Sequence, residues 1–163
     1  MAAFTFFSDS LQDHGSQRRT CGVHHPSIYD GRVEHSDRVK RITPEDRVGG
    51  DLSPGVSREQ AIVMEGFWTG VAFTEPGVVS GWHHHGNYET SIYVASGRVR
   101  LECGLDGHEI IEASVGDFIH VPAGAIHRES NPGDTTSSLV LLRVGTGSTT
   151  INTVGPASVG EDS

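Results

Sequence analysis

From Phe67 onward the chain is cut by turn-forming residues about every eight to ten positions, and this punctuation restricts its fold more than any other feature. The intervening runs are short and rich in β-branched and aromatic side chains. FWTGVAFT ends at Glu75-Pro76-Gly77, VVSGWHHH at Gly86-Asn87, ETSIYVAS at Gly97 and RVRLECGL at Asp106-Gly107; HEIIEAS, FIHVP, HRES and TSSLVLLRV follow. Asp-Gly is a strong hairpin signal, because both central positions of a type I′ turn need positive φ. Seven or eight antiparallel strands with short turns make a closed or nearly closed β-barrel or sandwich. With 163 residues the chain can bury one core but not two comfortable ones, and its 21 glycines suit a small β-rich protein.

The flanks read differently. Residues 1–38 show no sustained period of 2 or 3.6 beyond the cluster Phe4, Phe6 and Phe7, so they are expected to form a loosely ordered arm or to lie on a neighbouring subunit. The shift in composition at Val39 also fits a translation start there, since an alternative bacterial start codon encodes valine. The barrel is expected over 39–145, with its core at 67–144. In ITPEDRVGG, Thr43 suits an N-cap, Pro44 the first helical position, Glu45 and Asp46 the positive helix end, and Gly49-Gly50 the stop, which predicts one helical turn. SREQ at 57–60 fits either a capping box or the start of a strand. Residues 146–163 are small and polar and are expected to trail off as a flexible tail.

Charge excludes some functions. The net charge is -9 with no Lys/Arg cluster longer than a pair, which disfavours nucleic acid and anionic membranes as partners. The longest apolar run, Leu139 to Leu142, is far short of a membrane span, and no charged n-region precedes an apolar h-region at the start. Cys21 and Cys103 lie in segments of unlike character, and no disulfide framework is needed at this size. A soluble, cytoplasmic protein is expected.

The chemistry concentrates in two places. On a strand, His83 and His85 face one way and His84 the other. After the Gly86-Asn87 bend, Glu89 returns a carboxylate near the start of the next strand, and His127 follows a Pro-x-Gly turn that aims it at the interior. Three imidazoles and one carboxylate suit a divalent first-row ion such as Fe, Mn, Ni or Zn. On an octahedral ion, four protein ligands leave two neighbouring positions for substrate, water or O₂, as a catalytic site requires.

These residues resemble the cupin superfamily. Its first motif reads Gly, five residues, His-x-His, three or four residues, Glu, six residues, Gly; here it is met by Gly77, VVSGW, His83-His84-His85, GNY and Glu89. The closing glycine, Gly97, comes one position late, with Ser96 where it is expected. The second motif, Gly, five residues, Pro-x-Gly, two residues, His, three residues, Asn, matches throughout from Gly116 to Asn131. The resemblance implies an all-β double-stranded β-helix, or jelly-roll barrel, holding one divalent metal ion on His83, His85, Glu89 and His127. It also implies a homodimer and a small-molecule substrate.

Cupins resembling this chain catalyse unlike reactions on one ligand set, so the reaction is not read from the fold. The favoured expectation is a mononuclear metal-dependent oxidoreductase of dioxygenase type acting on a small, oxygen-rich substrate, with Glu89 also able to swing off as base. The alternatives are a non-redox lyase, isomerase or rearrangement enzyme holding Zn, Ni or Mn, and a small-molecule-binding protein without catalysis. His120, Tyr93 and Phe118 are candidates for the pocket wall, although a packing role is the simpler reading of each. Arg100 and Arg143 lie on strands, where an inward guanidinium would hold a substrate carboxylate and an outward one would meet solvent. His108 abuts a turn and is expected at the surface, and Cys103 is read as a small core hydrophobe.

Overall fold

A computed structural model describes residues 38–50 and 53–156; most of the N-terminal arm, Cys21 included, and the last seven residues of the tail lie outside the described residues. The fold is nearly all β. The only helical element among the described residues is the 3-10 turn Pro44–Asp46, in which the Asp46 carboxylate reaches back to accept from the Thr43 N–H at 2.9 Å and the Thr43 hydroxyl at 2.8 Å. No helix among the described residues is long and apolar enough to cross a membrane.

Among the described residues eleven strands follow in chain order: β1 Val48–Gly49, β2 Ser57–Met64, β3 Phe67–Thr74, β4 His83–His84, β5 Glu89–Ser96, β6 Arg98–Cys103, β7 Glu109–Ser114, β8 Phe118–Val121, β9 Arg128–Ser130, β10 Ser137–Val144 and β11 Ile151–Asn152. They build a six-stranded antiparallel sheet, β1-β2-β3-β10-β5-β8, a three-stranded sheet, β7-β6-β9, and the pair β11-β4. The SREQ segment is thereby a strand. β2 pairs with β3 and takes up a bulge between Gln60 and Ile62.

Alternation is the rule that builds the interior. Every second residue of β3 and β10 is buried, and Trp68, Ala72, Ile92, Val94, Val99, Leu101, Ile119, Val121, Leu139 and Leu141 form the core between the sheets. Removing those side chains from water is the main favourable term, at about 25 cal/mol per Å² of apolar surface. Two glycines beside β10 leave no room for a side chain. At Gly97 φ is 72° and a Cβ would come within 2.8 Å of Ser137 Cα; at Gly145 φ is 155° and a Cβ would lie 2.3 Å from the Asn87 carbonyl oxygen. Both sites bring β10 against the chain on either side of β5.

The C-terminal segment departs from expectation. Through Pro156 it lies on the barrel: Ile151 and Asn152 pair with His84 and His83, and the Thr153 N–H donates to the Trp82 carbonyl at 2.9 Å. Small polar composition marked it as a tail, but the hydrogen bonds it makes are main-chain ones, which composition does not report.

Candidate metal centre

The second motif is built around a buried asparagine. Asn131 Nδ2 donates to the carbonyls of Thr74 and Thr135, both at 2.8 Å, and its Oδ1 accepts from the Gly133 N–H at 2.9 Å. This clamp joins β9 to the ends of β3 and β10. Immediately upstream, His127 and His83 exchange two main-chain hydrogen bonds of 2.9 Å each, as an isolated antiparallel bridge. Two of the candidate ligands therefore sit side by side by virtue of their own backbones.

His83, His85 and His127 are each no more than 2% exposed. One ring nitrogen from each lies within 4.8 Å of the others, and the ring centroids stand 4.5 to 5.3 Å apart. The Nδ1 atoms face main-chain carbonyls: Gly81 at 3.0 Å for His83, Thr149 at 2.9 Å for His85 and Ala125 at 2.9 Å for His127. Those carbonyls accept from Nδ1–H, which leaves each Nε2 lone pair available to a metal. The Nε2 atoms of His83 and His127 are buried with no hydrogen-bond partner, a costly state that coordination relieves. Burial, more than any neighbouring charge, lowers the pKa of all three, to about 4 for His83, so each imidazole is neutral and ready to ligate. The donor set fits a divalent ion for which imidazole is a good ligand, such as Fe, Ni or Zn.

Glu89 does not join them. It is exposed on the outer face, where its Oε2 lies 2.7 Å from His120 Nε2 and its Oε1 accepts from the Ala123 N–H at 3.3 Å. The reading of Glu89 as ligand and base is corrected by the pleat: Glu89 and Thr90 face opposite sides, and Thr90 is the buried one, fully shielded from solvent. Four residues separate His85 from Thr90 and six separate Thr90 from Gly97, so the spacing closes without a slip. The late glycine was the signal in the sequence that the motif runs one residue further and carries threonine where glutamate is expected. His84 faces away, as alternation predicts, and its Nδ1 accepts from the Gly86 N–H at 3.2 Å.

The other pocket candidates are also outside. His120 lies beside Glu89, Tyr93 stacks against Phe118 on the outer face with centroids 4.9 Å apart, and Arg100 points outward toward Glu112 at 3.9 Å. Cys103 is half-buried, and burial raises its thiol pKa, which suits packing rather than nucleophilic attack. His108 is exposed as expected.

Three buried charged residues complete the interior, and only Arg143 among them was considered from the sequence. Glu129, two residues after His127 on the same face, is 3% exposed and accepts from Arg58 Nη2 at 2.6 Å. Burial pushes its carboxyl pKa up, but the positive charge of Arg58 beside it leads the opposing effects, and the pKa is held below the usual range. Arg143 is 1% exposed, with its guanidinium 4.7 Å above the Trp68 ring. Nothing in a single sequence distinguishes these charges from surface ones except the period of 2 that places each on an inward position.

Residues 70–143 match the family model described as a cupin domain. No curated protein matches the sequence significantly. Among solved structures, KdgF from Halomonas sp. is 18% identical with a TM-score of 0.55, covering 66% of this chain and 96% of that one. A protein described as a predicted oxalate decarboxylase from Thermotoga maritima is 14% identical with a TM-score of 0.56, covering 66% and 100%. A variant oxalate decarboxylase from Bacillus subtilis is 22% identical with a TM-score of 0.54, but only 28% of that longer chain is covered. At these identities the likeness is one of fold. Together with the matched motifs and the three converging histidines, it identifies residues 70–143 as a cupin domain.

Proposed function

We propose that this cupin is a mononuclear metal-dependent enzyme of dioxygenase type acting on a small, oxygen-rich organic substrate. The observation that carries the reading is the ligand set itself: three neutral imidazoles converge, and the position expected to hold a carboxylate holds Thr90. Three imidazoles would hold a first-row divalent ion without a protein anion, which suits a substrate with oxygen donors of its own and O₂ as its co-substrate. The metal, when bound, supplies Lewis acidity and a route for electrons between the two.

The chain's own residues provide the rest. Gly81, Ala125 and Thr149 hold the three imidazoles in one tautomer through their carbonyls. Ile92, Leu101, Val121 and Leu141 belong to the buried apolar core between the sheets. Glu89 has no part in proton transfer in this scheme.

An oxygen electrode tests the reading on iron-loaded protein with candidate hydroxy-, oxo- and enediol-bearing acids. Consumption of one O₂ per substrate is expected. Turnover under argon at the same rate would instead point to the non-redox class, for which zinc in protein purified without added metal is the independent sign.

A further inference from the structure

The three imidazoles are not held alike. The carbonyls facing Nδ1 of His83 and His127 belong to Gly81 and Ala125, each two residues upstream of its histidine, and the two backbones are tied to one another by their own bridge. His85 lies just past the end of β4, and its Nδ1 faces the carbonyl of Thr149, 64 residues away in sequence, at 2.9 Å. The third imidazole is therefore oriented by the C-terminal segment rather than by its own strand.

That segment crosses β4 as a strap. Ile151 pairs with His84 and Asn152 with His83, and the Thr153 N–H donates to the Trp82 carbonyl at 2.9 Å. It fits closely against two glycines. A Cβ on Gly86, the residue after His85, would come 3.1 Å from the Ser148 carbonyl oxygen, and one on Gly155 would come 3.0 Å from Trp82 Cδ1. Yet β11 is only two residues long, and both are exposed. A short, exposed edge strand opens at a lower free energy than the strands of a core.

We propose that Thr149 is a positioning residue of the metal centre, and that docking of the strap, residues 148–153, and retention of the ion form one linked equilibrium. With the strap in place, the Thr149 carbonyl accepts from Nδ1–H and holds the His85 ring in the tautomer whose other nitrogen can ligate. With the strap displaced, that ring is free to turn, and the site falls back on the preset pair His83 and His127. The assignment rests on the metal reading above and adds a segment to it. Linkage makes the effect reciprocal: the factor by which the docked strap tightens the ion is the factor by which the ion tightens the strap. Losing an outer hydrogen-bond partner of a metal-bound histidine costs about 10–100-fold in affinity, which sets the size of both.

The test uses the full chain and Zn²⁺. Amide hydrogen exchange is followed with and without one equivalent of zinc. The Thr153 N–H is expected to exchange about 10–100-fold more slowly when zinc is bound. The Gly50 N–H, which donates to the Arg58 carbonyl at the opposite edge of the fold, should keep its rate. Thr153→Pro combined with Gly155→Val removes the strap's donor and sets a side chain against Trp82 at a φ of 105°, displacing the strap while every histidine stays. Competition with a chromogenic chelator should show its zinc affinity lowered by about 10–100-fold, and Thr153→Ala, which keeps the N–H, should match the parent chain. Equal exchange at Thr153 in zinc-free and zinc-loaded protein, or parental zinc affinity in a double variant whose strap exchanges freely, would overturn the strap assignment and leave the metal reading intact. A parent chain that takes up no zinc would overturn both.

Discussion

The Glu89 carboxylate lies 2.7 Å from His120 Nε2 on the outside of the barrel, one residue away from a threonine that is wholly buried within it. A single step along β5 thus separates a surface ion pair from the interior wall. His120 first, and then the Ala123 N–H, hold the Glu89 pKa below its ordinary value, so the carboxylate is charged and engaged where it stands. Glu89→Ala is accordingly expected to keep full metal content and the melting temperature of the parent chain. Metal analysis with a thermal melt checks both, and loss of the ion in this variant would return Glu89 to the ligand set.

The three adjacent histidines are unequal. His84→Ala removes a ring whose Nδ1 only accepts from Gly86 N–H, so metal occupancy should be unchanged. His85→Ala takes away one of the three converging nitrogens. It should weaken metal binding by more than the roughly 10–100-fold that loss of an outer hydrogen-bond partner costs. Competition against a chromogenic chelator separates the two variants.

Acid should destabilise the metal-free protein in a defined window. The folded pKa of His83 lies near 4, below its ordinary 6.5, and those of His85 and His127 are lowered in the same direction by burial. Between those values the unfolded chain binds more protons than the folded one, so stability is full above about pH 6.5 and falls as pH drops toward 4. Each such imidazole contributes a slope of about 1.4 kcal/mol per pH unit. Urea midpoints measured from pH 8 to pH 4 should decline only below about 6.5, and bound metal should shift the decline to lower pH, because protons and metal compete for the same nitrogens.

Arg58 and Glu129 should behave as a unit. Both side chains are almost wholly buried, and Arg58 Nε and Nη1 make no other hydrogen bond. Glu129→Ala leaves a guanidinium without its counter-charge and is expected to cost about 3–5 kcal/mol, whereas replacing both residues by Met and Leu should restore most of that. Denaturant unfolding of the two single variants and the double variant measures the coupling.

A homodimer is the expected assembly. The outer row Val71, Val140, Tyr93 and Phe118 runs in register across four strands, with Val140 and Phe118 among the exposed apolar residues. We propose that a second copy of the chain covers this row. Light scattering should report twice the chain mass, and Phe118→Asp should shift the population toward monomer.

Much of this was legible before any coordinates. The turn punctuation announced the strands, and alternation separated His84 from its neighbours and drew in His127 from a distant strand. The helical turn at Pro44 to Asp46 was written in its cap and proline. What failed was register within one short stretch. The motif allows either three or four residues before its acid, and Glu89 satisfied the shorter spacing chemically while Thr90 satisfied the longer one geometrically. The strand's pleat resolves that choice, because only one of two neighbours can face the core. The docking of residues 149–153 was illegible for another reason: it is made by backbone groups, which every residue shares.

The bridge between His83 and His127 has a consequence for metal choice. Their main chains are tied to one another at 2.9 Å in both directions, so the gap between the two rings is a property of strand spacing and exists whether or not an ion is present. Such a pair is set before any ion arrives, so an ion whose coordination distances match the gap is favoured over one for which the strands would have to part.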